Sequence, residues 1–99
     1  GEEARKVSEG KDLTIEGIFS SKGRVKILKA IFTHGEINIS QLIKVTGLNY
    51  RVVSKHLEYL KSVGIIEELS IGRVKIYRPN WLNPHTRIID EFIRLIESS

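Results

Sequence analysis

Residues 40–79 read SQLIKVTGLNYRVVSKHLEYLKSVGIIEELSIGRVKIYRP, and this stretch decides the fold. Two short helical patterns meet across Gly47, Leu48 and Asn49, and the second pattern ends at Gly64. A two-strand pattern with a basic tip follows. This order is typical of a helix-turn-helix that carries a β-hairpin, an arrangement that mostly lays one helix in the major groove of DNA.

The composition is that of a single globular domain. Of the 99 residues, 40% are hydrophobic and 28% are charged, so we expect one core and no extensive disorder. The absence of cysteine excludes disulfides and thiolate metal sites and is typical of an intracellular protein. Neither a membrane-spanning run nor a signal-peptide pattern is found, so we expect a cytoplasmic protein. Many isoleucines, lysines and glutamates, without cysteine or methionine, resemble a thermophile's composition.

Positive charge is concentrated on the quoted stretch and on the helical pattern before it. Residues 20–78 hold eleven Lys and Arg against four Asp and Glu, a net charge of +7, whereas the whole chain carries +4. A face that binds a polyanion requires such a concentration. The charge distribution therefore favours double-stranded DNA as the partner.

We expect the chain to divide into three segments. Residues 1–12 form a polar N-terminal tail, residues 13–79 form the helix-turn-helix domain with its hairpin, and residues 80–99 form a C-terminal helix. Residues 36–39 alternate in the manner of a short strand. The predicted fold class is α+β, mainly α: a winged helix-turn-helix with a two-strand wing and a C-terminal dimerisation helix.

Capping residues give the expected helix boundaries. One helix runs to about Thr33 and ends at Gly35, and the next covers Gln41 to Thr46. Polar side chains that accept hydrogen bonds from the first free N–H groups of a helix mark where each helix begins. In chain order these expected N-cap residues are Ser20 or Ser21, Ser40, Asn49 and Asn83.

The helix that begins after Asn49 is the expected recognition helix. Val53, Leu57 and Leu60 recur at i, i+4 and i+7, which predicts that this face is buried. The opposite face carries Arg51, the first choice for reading a base because a guanidinium bonds G O6 and N7 together. The candidate DNA-binding residues are Gln41, Asn49, Tyr50, Arg51, Ser54, Lys55, Arg73 and Lys75.

The remaining candidates have different expected roles. Ser54 contacts a base or a phosphate, and Asn49 and Tyr50 reach backbone phosphate. Arg73 at the hairpin tip and Lys75 beside it follow the phosphates or enter the minor groove.

The last helix has an apolar face wider than one core contact needs. Its apolar side chains span about 160° of the helical wheel, whereas a single core-facing stripe needs about 100°. They are Ile88, Ile89, Phe92, Ile93, Leu95 and Ile96. We expect part of this face to cover the helix's own domain and part to pair with a twin helix in a homodimer. The alternative is one helix packed entirely on its own protomer.

Three segments resemble ArsR-type winged-helix regulators. Residues 18–28 (IFSSKGRVKIL) resemble their opening helix, residues 54–66 (SKHLEYLKSVGII) their recognition helix and its exit, and residues 72–78 (GRVKIYR) their wing. The resemblance covers about residues 18–79 and is greatest to archaeal versions. It implies a homodimeric transcription regulator that binds a roughly palindromic DNA site.

The resemblance also raises the question of an effector. Sensors of this family often use cysteines near the recognition helix, or His, Asp and Glu sets on the last helix. This chain has no cysteine, and His85 and Asp90 of the last helix are five residues apart, which is poor spacing for one helical face. We therefore expect no metal and no cofactor, and the effector is left open.

Other interpretations remain beside the DNA-binding one. An enzyme is not expected, because the sequence offers no cysteine nucleophile, phosphate-binding loop, metal cluster or Ser-His-Asp set. A weakly selective chromatin or RNA-binding protein would use the same charges, and a winged-helix protein-interaction module would not need them. Among single residues, His56 is expected to be packed and hydrogen-bonded. Glu58 repels phosphate unless it accepts from a cytosine amine or pairs with a neighbouring lysine.

Overall fold

A computed structural model describes residues 12–98, so residues 1–11 of the expected polar tail lie outside the described residues. In chain order its elements are α1 (Ile15–Ile18), α2 (Lys22–His34), β1 (Ile37–Asn38), α3 (Ile39–Thr46), α4 (Tyr50–Ser62), β2 (Ile66–Ile71), β3 (Val74–Pro79) and α5 (Pro84–Glu97). This is a mainly helical winged helix-turn-helix, as predicted, in which α3 and α4 form the motif and β2 and β3 the wing. In the described part of the chain, no helix combines the length and apolarity that crossing a bilayer demands.

Most of the expected helix boundaries are confirmed. The side chains of Ser21, Asn49 and Asn83 each accept a hydrogen bond from a backbone N–H two or three residues further on, at 3.2, 2.9 and 3.0 Å. Gly35 and Gly47 end α2 and α3 with φ angles of 82° and 74°, which side chains rarely allow.

The predicted start of α3 is wrong. Asn38, not Ser40, is its N-cap, and the helix begins at Ile39. The Asn38 side chain accepts from the N–H of Gln41 at 2.9 Å, while the Gln41 side chain accepts from the N–H of Asn38 at 3.0 Å. This reciprocal capping box satisfies two free N–H groups, whereas a lone serine cap satisfies one.

The sheet contains one strand more than the wing. Its order is β1-β3-β2, and both pairings are antiparallel. Tyr77 in the central strand pairs with Ile37 of β1 on one side and with Glu68 of β2 on the other. The short β1 thereby ties the wing to the start of α3.

The core lies where α2, α3 and α4 meet the sheet. Val53, Leu57 and Leu60 of α4 are fully buried, as the i, i+4, i+7 spacing predicted. Burying an aliphatic side chain of this size contributes about 1.5–3 kcal/mol, so three of them hold α4 firmly. Other members of the same cluster are Ile27, Leu28, Ile31, Leu42 and Ile65.

Candidate nucleic-acid interface

The face of α4 opposite its buried residues is turned to solvent. Tyr50, Arg51 and Lys55 are exposed, and Ser54 is half-buried. Arg51 lies in the first turn of the helix, and Lys55 follows one turn later on the same face. The described structure therefore presents a basic, anchored helix face.

A groove of about 410 Å³ lies between α4 and the hairpin. Tyr50 and Ser54 line it on the α4 side, and Arg73 and Lys75 line it on the hairpin side. The fold thus brings four of the eight candidate DNA-binding residues together around one groove.

The other four candidates lie outside the lining of that groove. Arg51 and Lys55 occupy the exposed face of α4, and Gln41 is exposed on α3. The side-chain oxygens of Asn49 and Gln41 are engaged in helix caps. The NH2 groups are therefore the parts of these two amides that could donate to a ligand.

Ion pairs fasten the wing to α4. Lys61 Nζ lies 2.9 Å from Glu68 of β2 and 3.2 Å from Glu58 of its own helix, and Lys75 lies 3.8 Å from Glu68. The hydrogen bond between Lys61 and Glu68 raises the pKa of Lys61 and lowers the pKa of Glu68. Burial, followed by a hydrogen bond to Glu68, raises the pKa of Tyr77 to about 12. The acidic groups beside the groove are therefore partnered by lysines.

A second group of ion pairs links β3 to β2 and to the segment before β1. Arg78 Nε lies 3.0 Å from Glu67 of β2, and Arg78 Nη1 lies 3.6 Å from Glu36, just before β1. The three residues come from three neighbouring segments of the sheet region. Arg78 therefore has a structural role there and does not line the groove.

A buried arginine beneath α4 was not singled out by sequence reasoning. Arg24 Nε donates to His56 Nδ1 at 3.1 Å, and Arg24 Nη1 donates to the carbonyl oxygen of Gly17. The guanidinium also lies over the ring of Tyr59, 3.9 Å from its centroid. Burial, then the charges of Arg24 and Lys55, lower the pKa of His56. The prediction of a packed, hydrogen-bonded His56 is confirmed.

No metal site is found in the part of the chain that the structure describes. Within residues 12–98, no three His, Cys, Asp or Glu residues form a group that could hold a metal ion. Nδ1 of His34 lies 2.9 Å from the carbonyl oxygen of Ala30, and His85 is exposed near the start of α5.

The apolar face of α5 is divided between the core and solvent. Ile89 is buried and Ile93 packs against the core, whereas Ile88 is 63% exposed. Phe92 contacts Phe19 edge to face, with ring centroids 5.6 Å apart, and remains about half exposed. The exposed apolar side chains of this surface are Ile15, Ile88, Phe92, Leu95 and Ile96. We call this set the α5 surface, and it shows that α5 is not packed entirely on its own protomer.

Residues 21–68 match the protein family described as "Bacterial regulatory protein, arsR family". Residues 21–68 are therefore similar to the helix-turn-helix domain of this family. The matched segment contains α2, α3 and all of α4, so it includes the exposed basic face. No curated protein sequence matches the chain significantly.

Solved structures share the fold over nearly the whole chain. HlyU from Vibrio cholerae matches with a TM-score of 0.74 and 15% identity, covering 99% of this chain and 97% of that chain. The transcriptional repressor BigR from Xylella fastidiosa matches with a TM-score of 0.70 and 18% identity, covering 96% and 91%. The homodimeric winged helix-turn-helix DNA-binding domain Mb0332 from Mycobacterium bovis, a possible ArsR-family transcriptional regulator, matches with a TM-score of 0.69 and 20% identity, covering 98% and 84%. At these identities the likeness shows the fold alone.

The matched family is described as one of regulatory proteins, and the fold is a winged helix-turn-helix. All of these matches are bacterial, and the expected similarity to archaeal versions stays a prediction, as does the thermophile's composition.

Proposed function

We propose that this protein is a homodimeric transcription regulator that binds a specific double-stranded DNA sequence. In this proposal α4 enters the major groove, and the hairpin lies on the backbone or in the minor groove. The observation that carries the proposal is a segment that matches the ArsR family and whose α4 is anchored by buried residues and turns Arg51 and Lys55 to solvent. The net charge of +7 on residues 20–78 supports a polyanion as the partner.

Base reading is assigned to the first turn of α4. Arg51 is exposed there and bonds a guanine through both O6 and N7. Ser54, one turn further along, contacts a base or a phosphate, and Lys55 adds charge to the same face. These side chains supply the sequence choice, because phosphate contacts carry no sequence information of their own.

Backbone contact is assigned to the groove between α4 and the hairpin. The Tyr50 and Ser54 hydroxyls on one wall and the Arg73 and Lys75 cations on the other can hold the sugar-phosphate backbone of one strand. The NH2 groups of Gln41 and Asn49 contact neighbouring phosphates. Because Glu68 is paired with Lys61, it repels the strand less than an unpaired carboxylate would.

Dimerisation is assigned to the α5 surface. Its exposed side chains form one apolar set on α5 and α1, and apolar patches of this kind mark interaction sites. The related domain Mb0332 is described as homodimeric, which supports the same assembly here. In a two-fold dimer, the two α4 helices would enter major grooves about one helical turn, roughly 34 Å, apart.

The experiment compares two arginine variants on a panel of duplexes. Arg51→Ala should weaken binding to the preferred site by about 1–3 kcal/mol and relax the preference at one base position. Arg94→Ala is the matched control, because it removes the same charge from α5, where Arg94 pairs with Asp90 at 3.0 Å. The control should keep the parent's base preference.

Each other outcome points to a different function. If Arg51→Ala binds every duplex as the parent does, Arg51 is not a base reader. Binding without preference between duplexes would favour a weakly selective chromatin or RNA-binding protein. If the parent binds no duplex, the chain acts as a protein-interaction module.

A further inference from the structure

Arg24 joins three helices from a buried position. Its side chain, which is 9% exposed, belongs to α2 and contacts α1 through the Gly17 carbonyl oxygen and α4 through His56 and Tyr59. The same α1 region carries Phe19, which contacts Phe92 of the α5 surface. The guanidinium therefore lies between the proposed dimer surface and the proposed recognition helix.

We call the contacts of Arg24 with Gly17, His56 and Tyr59 the junction, and two glycines allow its helices to approach closely. A Cβ atom on Gly17 would lie 2.0 Å from Tyr59 Oη, and a Cβ on Gly23 would lie 3.3 Å from His56 Nε2. The backbones of α1 and α2 thus approach the ring side chains of α4 as closely as a glycine permits. A shift of either ring would therefore also displace the backbone of α1 or α2.

The positive charge of Arg24 is surrounded by uncharged groups. Within residues 12–98, no carboxylate forms an ion pair with Arg24, whose charge is met by a carbonyl oxygen, an imidazole nitrogen and an aromatic face. Burial lowers the pKa of Arg24, as expected for a cation without a carboxylate partner.

The hydrogen bond from Arg24 to His56 requires a neutral imidazole. Nδ1 accepts a hydrogen bond from Arg24 only while it carries no proton, and the imidazolium form has no acceptor at all. The charged groups that act on His56 are Arg24 from α2 and Lys55 from its own helix, and both are positive. Near its other nitrogen, Nε2, lies the uncharged Gly23 of α2. A proton on His56 therefore meets two cations and loses one hydrogen bond.

We propose that Arg24 is a positioning residue that fixes the position of α4 through neutral His56. Protonation of His56 breaks this hydrogen bond, shifts α4 and weakens sequence-specific DNA binding. This inference rests on the proposed DNA-binding function. The result is a regulator that releases its site on acidification. This loss of DNA affinity on acidification is opposite to the effect of charge alone, because a new proton on an exposed histidine adds positive charge and strengthens binding to phosphates.

The first test measures the dissociation constant for the preferred duplex from pH 7.5 to 5.5 at constant salt. The parent should lose affinity as the pH falls, with a slope that does not exceed about a hundredfold per pH unit, the limit for two linked protons, one from each protomer of the proposed dimer. His56→Gln keeps an acceptor for Arg24 and cannot titrate, so its affinity should stay flat or rise slightly. His34→Gln is the control, because His34 is exposed outside the junction, and it should follow the parent.

Two further results would overturn the inference. One is a parent affinity that stays constant or rises on acidification, and the other is an unchanged loss in His56→Gln. Arg24→Lys adds a check on the role of charge, since it keeps the positive charge but lacks the planar guanidinium. Parent-like affinity and parent-like pH dependence in Arg24→Lys would show that charge alone suffices and that Arg24 does not position α4.

A second measurement needs no DNA and no variant. Amide signals of the free parent protein are followed by two-dimensional NMR over the same pH range. Signals from both α1 and α4 should move together with one midpoint below 6.5, the ordinary pKa of histidine. Movement confined to the neighbours of His56 would refute the coupling. If coordinated movement occurs but the parent binds no duplex at pH 7.5, the junction is correct and the proposed function is wrong.

Discussion

Replacing Ile88 by alanine tests the proposed dimer most sharply. Ile88 is 63% exposed in the described protomer and belongs to the α5 surface. Fully burying an isoleucine is worth about 1.5–3 kcal/mol, so burying the exposed part of Ile88 in a dimer is worth about 1–2 kcal/mol. A two-fold interface contains the residue twice, which gives a loss of about 2–4 kcal/mol for the substitution.

The magnitude converts directly into a measurable dissociation constant. A loss of about 2–4 kcal/mol raises the dimer dissociation constant by about 30- to 1,000-fold. Sedimentation equilibrium measures this constant, and far-ultraviolet circular dichroism confirms that the protomer is folded. Alanine favours a helix more than isoleucine does, so α5 itself should persist in the variant.

The matched control is Leu82→Ala. Leu82 has a similar apolar volume and is 95% exposed, but it lies in the turn between β3 and α5 and outside the α5 surface. Its replacement should leave the dimer dissociation constant unchanged. The proposed dimer surface is refuted if Ile88→Ala dimerises as tightly as the parent, or if Leu82→Ala and Ile88→Ala weaken the dimer equally. It is also refuted if the parent is a monomer at all accessible concentrations.

Three further predictions concern the wing, the core and the pH dependence of folding. Arg73→Ala should weaken binding to all duplexes by a similar factor and reduce the salt slope by about two, one for each protomer of the dimer, as measured by anisotropy titrations; a loss confined to certain sequences would make Arg73 a base reader instead. Leu57→Ala, at a fully buried position of α4, should lower the free energy of unfolding by about 2–5 kcal/mol in urea titrations, and a loss below 1 kcal/mol would contradict the described core. The loss of stability caused by Glu68→Gln should be larger at pH 6 than at pH 3. The reason is that the hydrogen bond from Lys61 lowers the pKa of Glu68, so its stabilisation is present above the unfolded pKa of about 4.5 and is lost as the pH falls through the lower folded value. An equal difference at both pH values would show that the Lys61–Glu68 pair contributes nothing to folding.

The parts of the fold that the sequence predicts well are those decided by local chemistry. Asn49 and Asn83 are capping residues followed directly by helical patterns, and the spacing of Val53, Leu57 and Leu60 allows only one buried face. These signals act within a few residues, so they need no knowledge of distant packing.

The start of α3 was missed although its signal is local. Asn38 and Gln41 have the spacing of a capping box, and reading Ser40 as the cap ignored the reciprocal hydrogen bond that glutamine adds. The strand β1 was expected, but its pairing with β3 depends on a contact between residues 40 positions apart, Ile37 and Tyr77. Sequence periodicity carries no information on such a pairing.

The junction around Arg24 could not be predicted for the same reason. Arg24 and His56 are 32 residues apart, so no local pattern pairs them. The spacing of Arg24 with Ile27, Leu28 and Ile31 indicates only that it lies on the buried face of α2. Gly17 and Gly23 offered a weak signal, because a glycine next to or within a helical pattern often marks a close approach of two backbones. The wing-to-α4 groove, by contrast, follows from the predicted motif, and four of the residues singled out from the sequence line it.

The central claim is that α4 reads a specific DNA sequence as part of a two-fold dimer. The most direct test selects bound duplexes from a randomised pool at near-physiological salt and sequences them. The account predicts an enriched palindromic motif whose half-sites lie about ten base pairs apart, one helical turn. Binding without any enriched motif would contradict sequence-specific recognition, and an enriched single half-site would contradict the dimer.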